Sequence, residues 1–473
     1  MENMKITIDS VLRFDPEPLS EELIATIAQE LWMFNPSDPD EQIALARKDG
    51  RTGELVLPRG YALRLREILA HNGIEIEWID RRVKVGGIIP LPTDFVEPRS
   101  YQQRAVERMT ASEQGIYEAA TASGKTISAA LVCSRLQQRT IIVVDKINLA
   151  TQWRERFEQA LGVTPTIIGD GSWEESDITI ATRQSLWTRR EELDGPDFGW
   201  WANWGMLIVD ECHAISAPSV RELFQRFPAH YRFGITATPD RHNWIMAASR
   251  GIIGEIVCRT TEEELQEAGV LLKPRVVVYR TPFQYRSNPG MSANMAWVNL
   301  TKALKTDTSR NMMIGRIMAQ DLGQTMLVQT DHTSHAQVLM TLAQGAGWPD
   351  DRILLLTGKQ NSAERDRIRL MAEEGNVLIV STIGKEALDI PRLNRYMIAF
   401  PTRNQTATKQ MLGRVKRVHD TKDDAPVVYD VFDHRVPRLI NMFRERRAVY
   451  EAERLEISFE GDAPLLSPQA AKS

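Results

Sequence analysis

A glycine, a lysine and a hydroxyl stand together at the end of the stretch Ala120-Thr-Ala-Ser-Gly-Lys-Thr126. This spacing is typical of a phosphate-binding loop. Glycine lets backbone amides approach phosphate oxygens, and a helix that starts at Lys125 directs its partial positive end at the same charges. We expect Lys125 to reach the β- and γ-phosphates of ATP and the Thr126 hydroxyl to bind Mg²⁺. The residues expected to hold the nucleotide here are Thr121, Ala122, Ser123, Gly124, Lys125 and Thr126.

A pair of carboxylates, Asp210 and Glu211, follows directly on the apolar run Met206–Val209. Carboxylates at the end of a strand lie where α/β sheets bind ligands. We expect Asp210 to hold Mg²⁺ through water and Glu211 to orient and deprotonate an attacking water molecule. His213 is assigned to coupling between the nucleotide site and neighbouring strands, and Cys212 to packing. The alternative is a solvated acidic turn, which the apolar run and the upstream loop disfavour.

Short β-branched runs alternate with longer helical segments from Tyr101 onward, which predicts parallel sheets covered by helices. The fold class expected is α/β, with two RecA-like lobes in tandem behind a small α+β N-terminal domain. The boundaries predicted are 1–95 for that domain, 96–260 and 261–456 for the lobes, and 457–473 for a disordered tail, with 85–99 as a linker. The strands predicted in the lobes are Thr140–Val144, Ile178–Ala181, Met206–Val209, Phe233–Thr236, Val276–Tyr279, Thr325–Val328, Ile353–Leu356, Val377–Val380, Met397–Phe400 and Val427–Val431.

Composition fits a soluble globular protein, with 42% hydrophobic and 26% charged residues in 473. No apolar run approaches the ~18 residues that cross a bilayer, and the first residues lack a signal-peptide pattern, so a cytoplasmic location is expected. The three cysteines have no metal-ligand spacing. The net charge of −5 argues only weakly against nucleic-acid binding. Binding depends on whether basic groups are concentrated locally, and net charge does not report that. The aromatic stretch 198–204 is expected to pack rather than to stack on bases.

Five ordered motifs resemble those of superfamily-2 helicases and translocases. They are the Gly-Lys-Thr loop, Asp-Glu-Cys-His213, Thr236-Ala-Thr-Pro239, Ser381 to Asp389, and Gln410-Met-Leu-Gly-Arg-Val-Lys-Arg417. The match covers about residues 98–435. Within the superfamily the chain looks closest to the XPB-like branch and to phage recombination helicases of the UvsW kind. It departs from the pattern at Ala119 and Ala387, where glycines are usual.

The resemblance implies further site residues. Arg99 and Gln102 belong to an adenine-reading segment, and Asp389 would contact the ribose. Gln410, Arg414 and Arg417 belong to the last motif, where the two arginines, placed three apart on a helix, would neutralise charge on the γ-phosphate. By this resemblance, residues of both lobes would together complete the ATP site. Hydrolysis would then drive the motion of the lobes.

Nucleic-acid contacts are also implied by the resemblance. DNA in duplex, forked or branched form is the expected partner, with recombination or replication proteins, and no membrane. The contacts expected are Lys146, Gln152, Thr182, Arg183, Thr330 and Ser381. A basic cluster in the N-terminal domain is a candidate duplex- or junction-binding surface, although a charge cluster is usually a solvated face; it comprises Arg59, Arg64, Arg66, Arg81, Arg82 and Lys84.

Three other functions remain open from the sequence. They are an RNA helicase, the motor subunit of a restriction or nuclease system, and a non-enzymatic DNA clamp with a decayed ATP site. The Thr-Ala-Thr-Pro motif disfavours the first, and the intact lysine, carboxylates and arginines disfavour the last.

Overall fold

The computed structural model describes residues 3–35, 38–88, 90–92, 96–237, 243–286, 290–383, 390–402, 405–420, 422 and 425–460. The chain divides into two compact units, Met1–Glu264 and Leu265–Ser473. Among the described residues, no helix combines the length and the hydropathy needed to span a membrane.

The N-terminal domain is an α+β module in which a mixed sheet packs against two helices. Its sheet has the order β5-β6-β2-β1-β7, and β3 and β4 form a separate hairpin. The first helix begins after Ser20, whose side chain caps it by accepting a hydrogen bond from the amide of Leu23. The elements are β1 (Met4–Ile8), β2 (Val11–Phe14), α1 (Glu21–Glu30), β3 (Trp32–Asn35), β4 (Asp38–Ala44), β5 (Arg47–Lys48), β6 (Leu55–Pro58), α2 (Ala62–His71) and β7 (Ile76–Asp80).

The first lobe is built on a sheet of order β11-β10-β12-β9-β13-β14-β8-β15, in which only the short edge strand β11 pairs antiparallel. Buried residues line both faces of this sheet, as the uninterrupted apolar strands predict. The elements are α3 (Ser100–Ser112), β8 (Gln114–Ala119), α4 (Lys125–Leu136), β9 (Thr140–Val144), α5 (Ile147–Leu161), β10 (Thr166–Gly169), β11 (Ser172–Trp173), β12 (Ile178–Thr182), α6 (Arg183–Thr188), α7 (Arg190–Leu193), β13 (Met206–Asp210), α8 (Pro218–Phe224), β14 (Tyr231–Thr236), α9 (Asn243–Ile253) and β15 (Ile256–Thr260).

The second lobe is a wholly parallel sheet of order β18-β19-β17-β20-β21-β16-β22. Each strand predicted for it is present within two residues of its predicted ends. The elements that complete the described chain are α10 (Glu262–Glu267), β16 (Arg275–Arg280), α11 (Ala293–Thr306), α12 (Thr308–Gln320), β17 (Met326–Gln329), α13 (Thr333–Gly345), β18 (Ile353–Leu356), α14 (Ser362–Glu374), β19 (Leu378–Ser381), β20 (Arg395–Ile398), α15 (Gln405–Val415), β21 (Val427–Phe432), α16 (Pro437–Ala452) and β22 (Glu456–Glu460).

The tail predicted from residue 457 starts too early. Strand β22 runs to Glu460 and pairs in parallel with β16 from Arg275 to Tyr279. Half-buried and exposed residues alternate along β22, as in an edge strand. Several of these residues are polar, so the sequence pattern does not indicate a strand there. Residues 461–473 lie outside the described part.

The N-terminal module and the first lobe share one hydrophobic core, which corrects the expectation of a separate unit. A single buried cluster runs from Ile6 and Leu65 in the module to Leu207 and Ile252 in the lobe. The predicted linker is partly anchored as well. Gly86 bridges Gln138, and the Leu91 amide donates to Gln137 Oε1 at 2.8 Å. Two domains with separate cores would show two clusters, so the module is an integral layer of the first unit.

The aromatic stretch before β13 packs, as predicted. Trp201 and Trp204 are buried, and the Trp201 ring meets Phe227 edge-on at a centroid distance of 4.8 Å. The Trp201 indole N–H donates to the Asp194 carboxylate at 2.8 Å. These side chains lie beneath the strand that carries the carboxylate pair and so support it.

Candidate active site

The phosphate loop connects β8 to α4 with two residues in the left-handed region. Ala122 has φ 69° and Gly124 has φ 72°. A side chain at Gly124 would place its Cβ 2.6 Å from the Gln102 amide nitrogen, so the glycine is required for close approach as well as for its conformation. Helix α4 begins at Lys125, so its first turn presents backbone amides to the loop, as predicted.

Gln102 is buried, and both the oxygen and the nitrogen of its side-chain amide form hydrogen bonds within the protein. Its oxygen accepts from the Arg99 amide at 3.0 Å, and its nitrogen donates to the Ser123 carbonyl at 3.1 Å. It therefore ties the start of α3 to the phosphate loop. Contact with adenine through Gln102 and Arg99 stays a prediction.

Lys125 lies between the two predicted carboxylates. Its Nζ is 2.8 Å from Glu211 Oε1 and 3.1 Å from Asp210 Oδ1. Burial alone would lower the pKa of Lys125, but the two negative charges outweigh it and raise that pKa above its ordinary value. The lysine is thus a fixed cation at the mouth of the loop. Lys125 and Glu211 are 86 residues apart in the sequence, and they meet through the parallel arrangement of β8 and β13 with β14 between them.

Glu211 occupies the first position after β13 with φ 50°. Its second oxygen is 3.3 Å from His213 Nδ1, and Thr236 at the end of β14 is 3.5 Å from the same oxygen. Burial favours the neutral acid, yet the hydrogen bond from His213 and the charge of Lys125 lower the pKa of Glu211 to about 2. The carboxylate is ionised at neutral pH, as a base must be before it accepts a proton.

His213 links two strand ends. Its Nδ1 is 3.2 Å from Thr236 Oγ1 and 3.3 Å from Glu211 Oε2. This contact joins the end of β14 to the carboxylate at the end of β13, which is the arrangement that the predicted coupling role requires. Cys212 is buried as predicted for a packing residue. Thr238 and Pro239 lie outside the described residues.

Asp210 is held by a donor that the sequence analysis missed. The indole N–H of Trp153 on α5 donates to Asp210 Oδ2 at 2.8 Å, and the Glu211 amide donates to Oδ1 at 3.0 Å. An aromatic at a buried position of α5 carries no signal of this contact, since packing alone explains it. Asp210 supplies one carboxylate, and Thr126 supplies a hydroxyl in the first turn of α4. This oxygen donor set suits Mg²⁺, which takes one or two carboxylates together with substrate phosphates.

The motif with two arginines is divided between a helix and the strand-like segment after it, which corrects the expectation of one helix face. Arg414 is in the last turn of α15, whereas Arg417 lies past its end and forms an isolated bridge with Leu271. Lys416 is buried against Glu453, the residue that follows α16, so its side chain turns away from solvent. The prediction of a continued helix failed because the turn after Val415 is set by this tertiary pairing. Gln410 is exposed on α15, and Asp389 lies outside the described residues.

Three of the six expected nucleic-acid contacts are buried with polar partners inside the protein, so their contact with DNA has no support from this geometry and stays a prediction. Thr182 caps α6 by accepting from the Ser185 amide, Thr330 Oγ1 is 2.8 Å from His335 Nδ1, and Ser381 Oγ donates to the Ile383 carbonyl. Thr182 and Ser381 thereby bond backbone groups that have no sheet partner beyond the strand end. Lys146 and Gln152 are exposed, and Arg183 pairs with Asp145 at 2.6 Å. For these three, contact with DNA stays a prediction.

The basic cluster of the N-terminal module does not form one surface. Arg59 is fully buried and donates to backbone carbonyls, Arg64 pairs with Glu30 at 2.6 Å, and Arg82 pairs with Asp80 at 2.7 Å. Residues 1–84 contain 11 Lys and Arg against 16 Asp and Glu. A phosphate-binding face needs uncompensated cations, so the reading of this cluster as a DNA surface is not supported by its charge.

Comparison with known proteins agrees with these motifs. The family model described as "Type III restriction enzyme, res subunit" matches residues 95–241, and "Helicase conserved C-terminal domain" matches residues 309–419. The chain is 37% identical over 368 residues to the DNA 3'-5' translocase XPB2 of Sulfurisphaera tokodaii, covering 70% of this chain and 81% of that protein. The chain belongs to the XPB-like branch of the superfamily-2 helicases.

This XPB-like helicase is also similar to proteins at lower identity. It is 25% identical over 344 residues to the DNA 3'-5' helicase XPB of Kineococcus radiotolerans, which covers 70% of this chain and 58% of that protein. The chain therefore spans just over half the length of that relative. Its fold is shared with the restriction-modification enzyme LlaBIII bound to DNA, with a TM-score of 0.57, 15% identity and coverage of 85% of this chain and 34% of that one.

Proposed function

We propose that this XPB-like helicase is an ATP-dependent DNA translocase or helicase that remodels branched DNA. The observation that carries the proposal is the partly buried contact of Lys125, at the start of α4, with both Asp210 and Glu211. The names of the relatives, DNA translocase and DNA helicase, support DNA as the substrate. Recombination or replication proteins as partners, and a cytoplasmic location, are part of the same proposal.

The chemistry proposed begins with an exchange of ionic partners at Lys125. A phosphate oxygen takes the ammonium from Glu211, which leaves that carboxylate ionised and free to accept a proton from water. His213 remains bonded to Glu211 and to Thr236 and so keeps the base oriented. Thr126 and Asp210 would hold Mg²⁺, which neutralises charge on the phosphates when bound. The role proposed for Arg414 and Arg417, neutralisation of the γ-phosphate, rests on their motif.

The test is the ATPase rate of the full chain with five activators: single-stranded DNA, duplex DNA, forked DNA, a four-way junction and single-stranded RNA. We expect DNA to stimulate turnover and the forked or four-way form to stimulate it most. Lys125→Ala should abolish turnover while the chain still folds and binds DNA, because the lysine acts on phosphate; the unfolding midpoint should fall somewhat, since Asp210 and Glu211 lose their cation. Stimulation by RNA alone, or turnover that survives in Lys125→Ala, would contradict the proposal.

A second candidate function is the motor of a restriction system, which the description of the matched family model favours. The two functions differ in what activates the ATPase. A restriction motor requires unbranched duplex and a companion nuclease chain that co-purifies from the native host. Preferential stimulation by plain duplex, with such a chain present, would favour this candidate.

A further inference from the structure

Helix α9 lies between the N-terminal module and the turn that carries the carboxylate pair. It packs against the short 3-10 helix Arg59–Tyr61 of the module and against the 3-10 helix Cys212–Ser216 that follows Glu211. Its described core residues, Met246, Ala248, Ile252 and Ile253, are buried in the cluster that the module and the lobe share. The same helix therefore contacts both the module and the site.

The contact between α9 and the N-terminal module leaves no space for an added side-chain atom. A Cβ built on Gly60 would lie 2.1 Å from the carbonyl oxygen of Arg250 and 2.5 Å from that of Gly251. A Cβ on Gly251 would in turn lie 2.5 Å from a methyl carbon of Leu45. Backbone atoms of the helix end thus touch the module directly, and such atoms cannot rotate away as a side chain does.

Two buried arginines fix this junction by donating to backbone carbonyls on both sides of it. Arg232 on β14 donates to the carbonyl of Ile252 on α9 at 3.0 Å and to that of Ser10 in the module at 3.3 Å. Arg59 of the module donates to the carbonyls of Ala229 and His230 just before β14. Burial lowers the pKa of Arg232 to about 10, so the guanidinium stays charged at neutral pH. Carbonyls at a helix end carry partial negative charge that suits such a cation.

The contact on the site side reaches the residue beside the base. The Ser249 hydroxyl on α9 donates to the carbonyl of Cys212 at 2.8 Å, and both residues are fully buried. Cys212 follows Glu211, whose backbone is left-handed. A residue other than glycine holds that conformation only where its surroundings enforce it.

We propose that α9 positions Glu211 for catalysis by relaying the location of the N-terminal module to the Cys212 carbonyl. The module is then a structural part of the ATPase site. Gly60 and Ser249 are positioning residues, since neither contacts substrate. This inference rests on the proposed function in one respect only, that Glu211 is the base.

The variant that tests it is Gly60→Ala, and Gly50→Ala is its matched control. Gly50 lies in the same module with no atom within 4 Å of an added Cβ and an ordinary φ, so that change only adds a methyl group. We expect Gly60→Ala to lower kcat about tenfold while KM for ATP stays within about twofold, because small misplacement of a base costs rate rather than binding. Gly50→Ala should match the wild type in both constants.

Ser249→Ala provides a second route, because it removes the hydroxyl without adding volume. A fall in its kcat with unchanged KM and a native unfolding midpoint supports the inference even where Gly60→Ala does not fold. Wild-type kcat in Ser249→Ala, or in a folded Gly60→Ala, overturns it.

Amide hydrogen exchange of the full chain separates this inference from the proposed function. Faster exchange at residues 210–213 in Ser249→Ala than in Gly50→Ala supports the relay without any reference to turnover. Equal exchange at those residues overturns it. A wild-type protein without ATPase activity would contradict the proposed function. The exchange result would still test whether α9 positions residues 210–213.

Discussion

At the scale of single residues, the site is an ion cluster whose members fix one another's charge. Lys125 lies within 3.1 Å of both carboxylates, and Glu211 is also bonded to His213. Each ionised group stabilises the charge of its neighbour against the cost of partial burial. Protonation of these groups therefore changes the stability of the fold. This change in stability can be measured without nucleotide.

We expect the stabilisation by Glu211 to disappear in acid. Its pKa is about 2 in the folded protein against an ordinary value of 4.5, so the unfolded chain binds the proton first. The contribution is present above about pH 4.5 and is lost as the pH falls through about 2. The urea midpoint of Glu211→Gln should lie below that of the wild type at neutral pH, and the difference should shrink below pH 4.5. The exposed control Glu17→Gln should show no such trend; a difference independent of pH would contradict the assignment.

Trp153 gives a second prediction at this scale. Its N–H donates to Asp210, and a hydrogen bond to a charged group contributes about 1.5 kcal/mol or more. Trp153→Phe keeps the ring packing but frees the carboxylate, so we expect the Mg²⁺ concentration for half-maximal ATPase activity to rise about tenfold. Trp173→Phe removes a comparable surface bond, to Glu175, and should leave the Mg²⁺ dependence unchanged. Identical Mg²⁺ curves for the two variants would show that this bond does not position Asp210.

At the scale of elements, the segment after α15 is held by contacts from several parts of the second lobe. Leu271 bridges Arg417, the Leu272 amide donates to the Lys416 carbonyl, and Lys416 pairs with Glu453. The ammonium of Lys422 donates to the carbonyls of Val415 and Arg417 at 3.1 and 2.6 Å. The position of Arg417 is thus set by side chains and backbone outside its own helix.

We expect Lys422→Met to lower kcat several-fold, because the carbonyls that place Arg417 lose their donor. Lys422→Arg should retain most of the rate, since a guanidinium also donates to two carbonyls. The measurement is the DNA-stimulated ATPase rate, with the exposed Lys359→Met as control. Equal rates in Lys422→Met and Lys359→Met would show that Lys422 has no part in placing Arg417.

At the scale of the whole molecule, the first unit is a single folding body formed by the N-terminal module and the first lobe. One hydrophobic cluster spans both, and Arg232 of the lobe donates to Ser10 of the module. Removal of the module would expose that cluster and take away Arg59, the donor to the buried carbonyls of Ala229 and His230. Buried acceptors left without a donor are costly.

A chain that begins at residue 85 should therefore fail to fold its first lobe. We expect aggregation on expression, or protease cleavage throughout residues 96–264, whereas the full chain resists cleavage there. The second lobe should keep its own resistance, because its core clusters contain no residue of the module. A soluble truncated protein with native ATPase activity would refute both this prediction and the positioning role of α9.

The sequence by itself determined the strands and the chemical groups of the nucleotide site. Thr140–Val144 and Ile353–Leu356 are strands with the predicted ends, because an uninterrupted β-branched or apolar run has few other stable conformations. Gly124, Lys125 and the carboxylate pair were recognisable because their spacing is local to one loop or one strand end. The tertiary structure alone decided which polar residues face inward. Arg59 resembles a surface residue in the sequence, yet it is buried and donates to backbone carbonyls 170 and 171 residues away. Burial of a polar group depends on a distant donor or acceptor, and a linear pattern does not encode that distance.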